Sequence, residues 1–248
     1  MTKAFSILIA ALPLIACGAV ASGNDRGTRA EPSGSGTTRT FQVAGFDRVS
    51  LEGVDDVDVR VGSAFSVRAE GPSETLDKLD IRKDGQTLRI GRVKQNGSFN
   101  WGGNRDRGAK VYVTLPAIAA ASVAGPGDMA VDRVQTGDFS GSIAGPGDLM
   151  IGAVAAKSLD LSVAGPGTIT LKGQAERAKI SIAGPGDVQG DGLKLSGADV
   201  SIAGPGSVRA DVNGAANVSI MGPGNADLGP NARCTTSKMG PGDARCGG

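Results

Sequence analysis

Seven Gly-Pro-Gly triplets punctuate the second half of the chain at nearly constant spacing, and this period restricts the fold more than any other feature. They are Gly125-Pro126-Gly127, Gly145-Pro146-Gly147, Gly165-Pro166-Gly167, Gly184-Pro185-Gly186, Gly204-Pro205-Gly206, Gly222-Pro223-Gly224 and Gly240-Pro241-Gly242. Their first glycines lie 20, 20, 19, 20, 18 and 18 residues apart. A fixed period near 20 residues, repeated more than three times, is the mark of a solenoid whose coils bury a core only by stacking. A triplet at this interval leaves little room for helices, because Pro and Gly both interrupt them.

The residues between triplets alternate as strands do. Ser stands three positions before every first glycine: Ser122, Ser142, Ser162, Ser181, Ser201, Ser219 and Ser237. The next column is Val123, Ile143, Val163, Ile182, Ile202 and Ile220, ending in Lys238. After the triplet come Met129, Leu149, Ile169, Val188 and Val208. Period-two alternation puts the Val/Ile columns inward and the Ser column outward. The triplet reads as a corner with type II turn chemistry, Pro at the second position and a positive-φ Gly at the third. Seven coils at the spacing of neighbouring strands rise about 34 Å. The chirality of parallel crossovers makes the winding right-handed. The fold class expected is therefore all-β, a single-stranded right-handed parallel β-solenoid (β-helix).

Composition agrees. Of 248 residues 40 are Gly, aromatics make up 3%, and there is no His. A core of Val, Ile, Leu and Ala suits a narrow stack. Without His there is no Ser-His-Asp triad, Cys-His pair or His-ligated zinc. The 26 basic and 25 acidic residues nearly cancel, so nothing favours nucleic acid.

The N-terminus reads as an export signal: Lys3 precedes an apolar run from Ala4 to Ala16 that is too short to span a bilayer. Two cleavage readings compete. Leu14-Ile15-Ala16-Cys17 resembles a lipobox, which would make Cys17 the lipidated first residue, while Ala19-Val20-Ala21 resembles an ordinary cleavage site. With Gly18 after the cysteine, the first reading implies anchorage in the outer membrane and the second a free periplasmic protein. Either cut leaves Cys234 and Cys246 as the cysteine pair of an oxidising compartment. They fall in inward columns of the last coil, and a disulfide there, worth about 2–4 kcal/mol, would brace the open end.

The expected organisation is a signal peptide over residues 1–17, a flexible Gly/Ser/Thr-rich tether over 18–39, irregular β coils over 40–117 that cap the stack, and the regular solenoid over 118–248, the last two forming one domain. In the irregular part, Val57-Asp58-Val59-Arg60-Val61 and Val111-Tyr112-Val113-Thr114-Leu115 alternate as strands, and Asp84-Gly85 marks a hairpin.

The order of Phe46-Asp47-Arg48-Val49, Val57-Asp58-Val59, Val67-Arg68-Ala69-Glu70-Gly71, and Val111-Tyr112-Val113-Thr114-Leu115-Pro116 running into Ser122-Val123-Ala124-Gly125 resembles the bacterial head GIN domain family. The resemblance spans nearly all of residues 41–248. It implies a β-solenoid at the cell surface or in the periplasm, and it brings no catalytic residue or cofactor. The family is described in terms of auto-transporter adhesins, yet no translocator barrel is legible here; a lipid on Cys17 would do the tethering instead.

Three features invite a binding role. The Ser column offers a flat face, although small residues on a solvated strand account for it. Asp128, Asp148, Asp187 and Asp243 follow their triplets and invite calcium, but Thr168, Ser207 and Asn225 interrupt the column, and turn-capping is the simpler role. Phe99 and the sole Trp101 lie in a loop flanked by Arg92, Lys94, Arg105, Arg107 and Lys110, where Trp101, Phe99 and Arg105 would be the contacts for an envelope glycan or protein. The reading that follows is a non-catalytic envelope module with neither metal nor cofactor. A structural spacer and a polysaccharide-cleaving β-helix are its alternatives.

Overall fold

The structure is a computed structural model that describes residues 27–93 and 108–247. Cys17, Phe99, Trp101 and Arg105 lie outside these residues.

The chain begins with β1 (Thr28–Arg29) and β2 (Pro32–Ser33), followed by β3 (Thr38–Phe41), β4 (Arg48–Glu52), β5 (Asp56–Val61) and β6 (Ser66–Glu70). A single turn of helix, α1 (Ser73–Leu76), buries Thr75 and Leu76. Then come β7 (Leu79–Asp84), β8 (Thr87–Arg92) and β9 (Lys110–Leu115). The β7–β8 hairpin turns at Gly85, whose φ of 56° suits the Asp-Gly signal.

Stacking order departs from chain order at this end. β4 and β5 form a coil equivalent to those of the repeat, and β8 and β9 lie on it in parallel register, with Val49 opposite Leu88 and Val57 opposite Val111. β10 (Ala120–Ala124) and β11 (Met129–Val131) then join the opposite side of the same coil. Residues 48–61 are thus sandwiched between two later segments. Outermost, β6 and β7 turn antiparallel to β9 and β8.

Residues 27–39 of the expected tether belong to the folded structure. β1 pairs with β7, and β2 with β3, which itself lies against β6, so residues 27–41 strap the N-terminal end across two sheet edges. Ala30 is buried, and its N–H donates to the Ile81 carbonyl. Arg29 meets Asp80 at 3.4 Å, and Arg39 meets Asp77 at 2.9 Å. Gly/Ser-rich composition reports flexibility only when no edge is open for pairing; here two edges were.

Below β11 the coils are regular: β12 (Val134–Ala144), β13 (Leu149–Ala164), β14 (Thr168–Ala183), β15 (Asp187–Ala203), β16 (Ser207–Met221), β17 (Asn225–Asp227), β18 (Arg233–Met239) and β19 (Asp243–Arg245). All pair in parallel, giving a β-solenoid. Val123, Ile143, Val163, Ile182, Ile202 and Ile220 are in register and buried, continuing Leu51 above them. The shorter periods are absorbed away from the triplets: register shifts fall between Ile151 and Val154, between Thr170 and Gly173, and between Gln189 and Gly197.

The triplet is a corner, but not a type II turn. Positive φ belongs to the first glycine, from 113° at Gly222 to 128° at Gly145, and not to the third. The third glycine is buried for a different reason: a Cβ on Gly186 would lie 2.6 Å from the carbonyl oxygens of both Gly165 and Gly167 in the preceding coil. Backbones meet too closely there for any side chain. The ladder continues through both glycines: Gly145 N–H donates to the Ala164 carbonyl at 2.9 Å, and Gly147 N–H to the Gly125 carbonyl at 2.9 Å. Pro, with no N–H, occupies the one place that needs none.

Candidate functional site

The outward Ser column is as the alternation requires. Each Ser from Ser122 to Ser237 is half-buried or exposed, opposite its counterpart in the next coil. Beside it runs a second outward column, Asp160, Lys179, Asp199, Asn217 and Thr235, in which Asn217 donates to Asp199 at 2.8 Å. A shallow trough of about 320 Å³ lies between the columns over the last four coils.

The Asp column has a structural occupation. Asp128 Oδ1 accepts the N–H of Asp148 at 2.9 Å, Asp148 Oδ1 that of Thr168 at 2.8 Å, and Asp187 Oδ1 that of Ser207 at 2.8 Å. Asn225 Oδ1 receives the N–H of Asp243 at 3.2 Å. Each carboxylate caps the next coil's backbone at the corner, and the series begins with Asp56, which accepts from Asp128. Among the described residues no cluster of three or more metal-ligating side chains occurs.

Cys234 and Cys246 form a disulfide with a Cα–Cα distance of 6.1 Å. Cys234 continues the column of Ala216, and Cys246 follows Arg245, which lies opposite Asp227. The bond ties β18 to the segment after β19 at the open end, where Thr236 and Lys238 stand exposed in columns that are apolar above them.

At the other end, Arg92 and Lys110, the residues on either side of the segment 93–109, stand at corner positions of the top coil. Beneath them lies Asp55, fully buried. Its carboxylate receives Arg92 Nη2 at 2.8 Å and Nε at 3.0 Å, and the Ala109 N–H at 2.8 Å. One carboxylate therefore grips both ends of the aromatic-bearing segment. Asp55 was missed because Gly53-Val54-Asp55 lacks the Pro and last Gly of the triplet, though Ser50-Leu51-Glu52-Gly53 repeats the approach to it. Arg92, one of the cations flanking the aromatic loop in the sequence, is committed to this pair. Lys110 lies 5.5 Å from the Tyr112 ring centroid, and Arg68 lies 4.8 Å from it.

A second recess of about 320 Å³ opens on the face after the corner, at the C-terminal coils. Ser207, Asn225 and Asp243 form one side, and Arg209, Asp227 and Arg245 the other. The column after the triplets supplied Ser207, Asn225 and Asp243, but no motif signalled Arg209, Asp227 and Arg245 beside them.

Comparison with known proteins agrees with this architecture. A family model described as "Putative auto-transporter adhesin, head GIN domain" matches residues 45–231. The fold is similar to that of a "putative adhesin" from Bacteroides fragilis, at 20% identity and a TM-score of 0.74, covering 87% of this chain and 98% of the other. It is also similar to a "putative lipid binding protein" from Parabacteroides distasonis, at 18% identity and a TM-score of 0.66, covering 90% and 98%. A "putative adhesin" from Parabacteroides merdae gives 16% identity and a TM-score of 0.65, covering 85% and 95%. No curated protein matches in sequence.

Proposed function

Because this chain belongs to the head GIN domain family, we propose that it is a non-catalytic, adhesin-like module of the cell envelope, presented outside the cytoplasm and held by a lipid on Cys17. The observation that carries this reading is the rigid outward face on which one Ser per coil repeats in register along the stack. Such a face serves for contact rather than turnover: general acid–base chemistry needs titratable groups set in a recess. Asp55, the buried carboxylate of the described residues, is spent on Arg92 and Ala109. No described helix is long and apolar enough to cross a membrane.

The strap sets the geometry of that attachment. Nine residues, 18–26, separate Cys17 from its start, so the capped end stays within about 30 Å of the anchor even when they are fully extended. The C-terminal coils then project away from the membrane. The test compares the anchored chain with its Cys17→Ser form. The first should fractionate with membranes and retain specific envelope partners in a pull-down. The variant should be released without losing the partners. Equal membrane retention would refute the anchor, and capture of nothing by either form would refute the module.

A further inference from the structure

The geometry points to a binding site for an extended acidic glycan in the recess at the C-terminal coils, running along the stack across β16, β17 and β19. This assignment rests on the interaction-module reading and names its ligand class. The outward column two residues past the capping column carries Asp58 at the cap, is uncharged at Ala130, Met150, Thr170 and Gln189, and holds arginine only at Arg209 and Arg245, with Asp227 between them. These three are exposed, in register, and line the recess together with Ser207, Asn225 and Asp243. Neither Arg209 nor Arg245 pairs with a carboxylate among the described residues, whereas Arg29, Arg39, Arg60, Arg82, Arg89 and Arg92 at the N-terminal end do. Asp243 is already held by Lys238 at 3.4 Å. The Asn225 amide oxygen accepts from Asp243, leaving its NH₂ group to donate into the recess.

The chemistry of the ligand follows from the order of the column. Arg209 and Arg245 lie two coil steps apart, about 10 Å by strand spacing, with a carboxylate between them. Arginines of this kind take carboxylates by paired N–H donors. Asp227 repels a third anion but accepts hydroxyls. The complement is anion, hydroxyls, anion along one line, as in a uronate-containing chain whose acidic residues alternate in the direction they face. A peptide fits poorly: an extended peptide gains its affinity by lying along a strand edge, whereas this recess crosses the strands.

The test is calorimetric binding of oligogalacturonate to the full chain, against a neutral maltooligosaccharide and poly-glutamate of matched length. Oligogalacturonate should bind with an affinity that falls as salt rises, and the neutral sugar should not. Arg209→Ala and Arg245→Ala should each weaken binding about fivefold, as expected for exposed charges. Arg177→Ala and Lys157→Ala, cations at another corner, should leave it unchanged, and melting temperatures should confirm that all variants are folded. Asp227→Ala should also weaken binding. Tighter binding by that variant would reduce the site to a simple anion patch and overturn the glycan assignment. Equal binding of poly-glutamate, equal losses in the two control variants, or no binding would overturn it too. Envelope capture that survives the Arg209→Ala/Arg245→Ala double variant would sink this site while leaving the module reading intact.

Discussion

Replacing Gly186 by Ala tests the central claim about the triplet, that its third glycine exists for backbone proximity and not for turn conformation. The added methyl would lie 2.5 Å from Val163 Cγ1 and 2.6 Å from the carbonyl oxygens of Gly165 and Gly167. Ordinary contact requires the corner to move outward by roughly 1 Å, since carbon–carbon contacts are optimal near 3.5 Å and those to oxygen slightly closer. The Asp187 N–H bond to the Gly167 carbonyl, now 3.2 Å, would then be lost. One hydrogen bond is worth about 1 kcal/mol, and overpacking costs about 1–3 kcal/mol, so the expected loss is about 3 kcal/mol. Urea unfolding followed by far-UV circular dichroism measures it. The companion Ser181→Ala, on the outward side of the same coil, should stay within about 0.5 kcal/mol. Gly242→Ala should cost less than Gly186→Ala, because the last coil has a neighbour on one side only and can move away. A Gly186→Ala protein as stable as Ser181→Ala would refute the steric account.

Asp55→Ala removes the buried carboxylate that holds Arg92 and the Ala109 N–H and should cost about 3–5 kcal/mol, with hydrogen exchange rising first at Ala109. Ile182→Ala, in the fully in-register apolar column, should lose about 2–5 kcal/mol in the same urea assay. Cys246→Ser should lower stability by about 2–4 kcal/mol and speed amide exchange in β18 and β19 ahead of the upper coils. Lys238→Val places an apolar side chain on the unpaired end and should produce concentration-dependent association in sedimentation velocity, because an inward-facing charge is one of the devices that keep open sheet edges apart.

Much of this molecule is legible in local periodicities. Ser at one column and Val or Ile at the next define two faces of a strand, and a 20-residue spacing stacks them. Those facts placed Val123 through Ile220 in the core and Cys234 with Cys246 at the end, because each depends only on residues a coil apart. What sequence could not decide depends on contacts without a period. Where the triplet recurs, its sequence allows a positive φ at either glycine; the packing of one corner on the next assigned it to the first and left the third to the close approach. Residues 27–41 have the composition of a tether, and only the two open edges of β7 and β6 make them a strap. The coil of residues 48–61 lies between two later segments because β4 and β5 find partners on both sides, β8 and β9 above and β10 and β11 below. Asp55 became a clamp for the same reason: its partners, Arg92 and Ala109, are 37 and 54 residues away, and only the folded stack brings them to it.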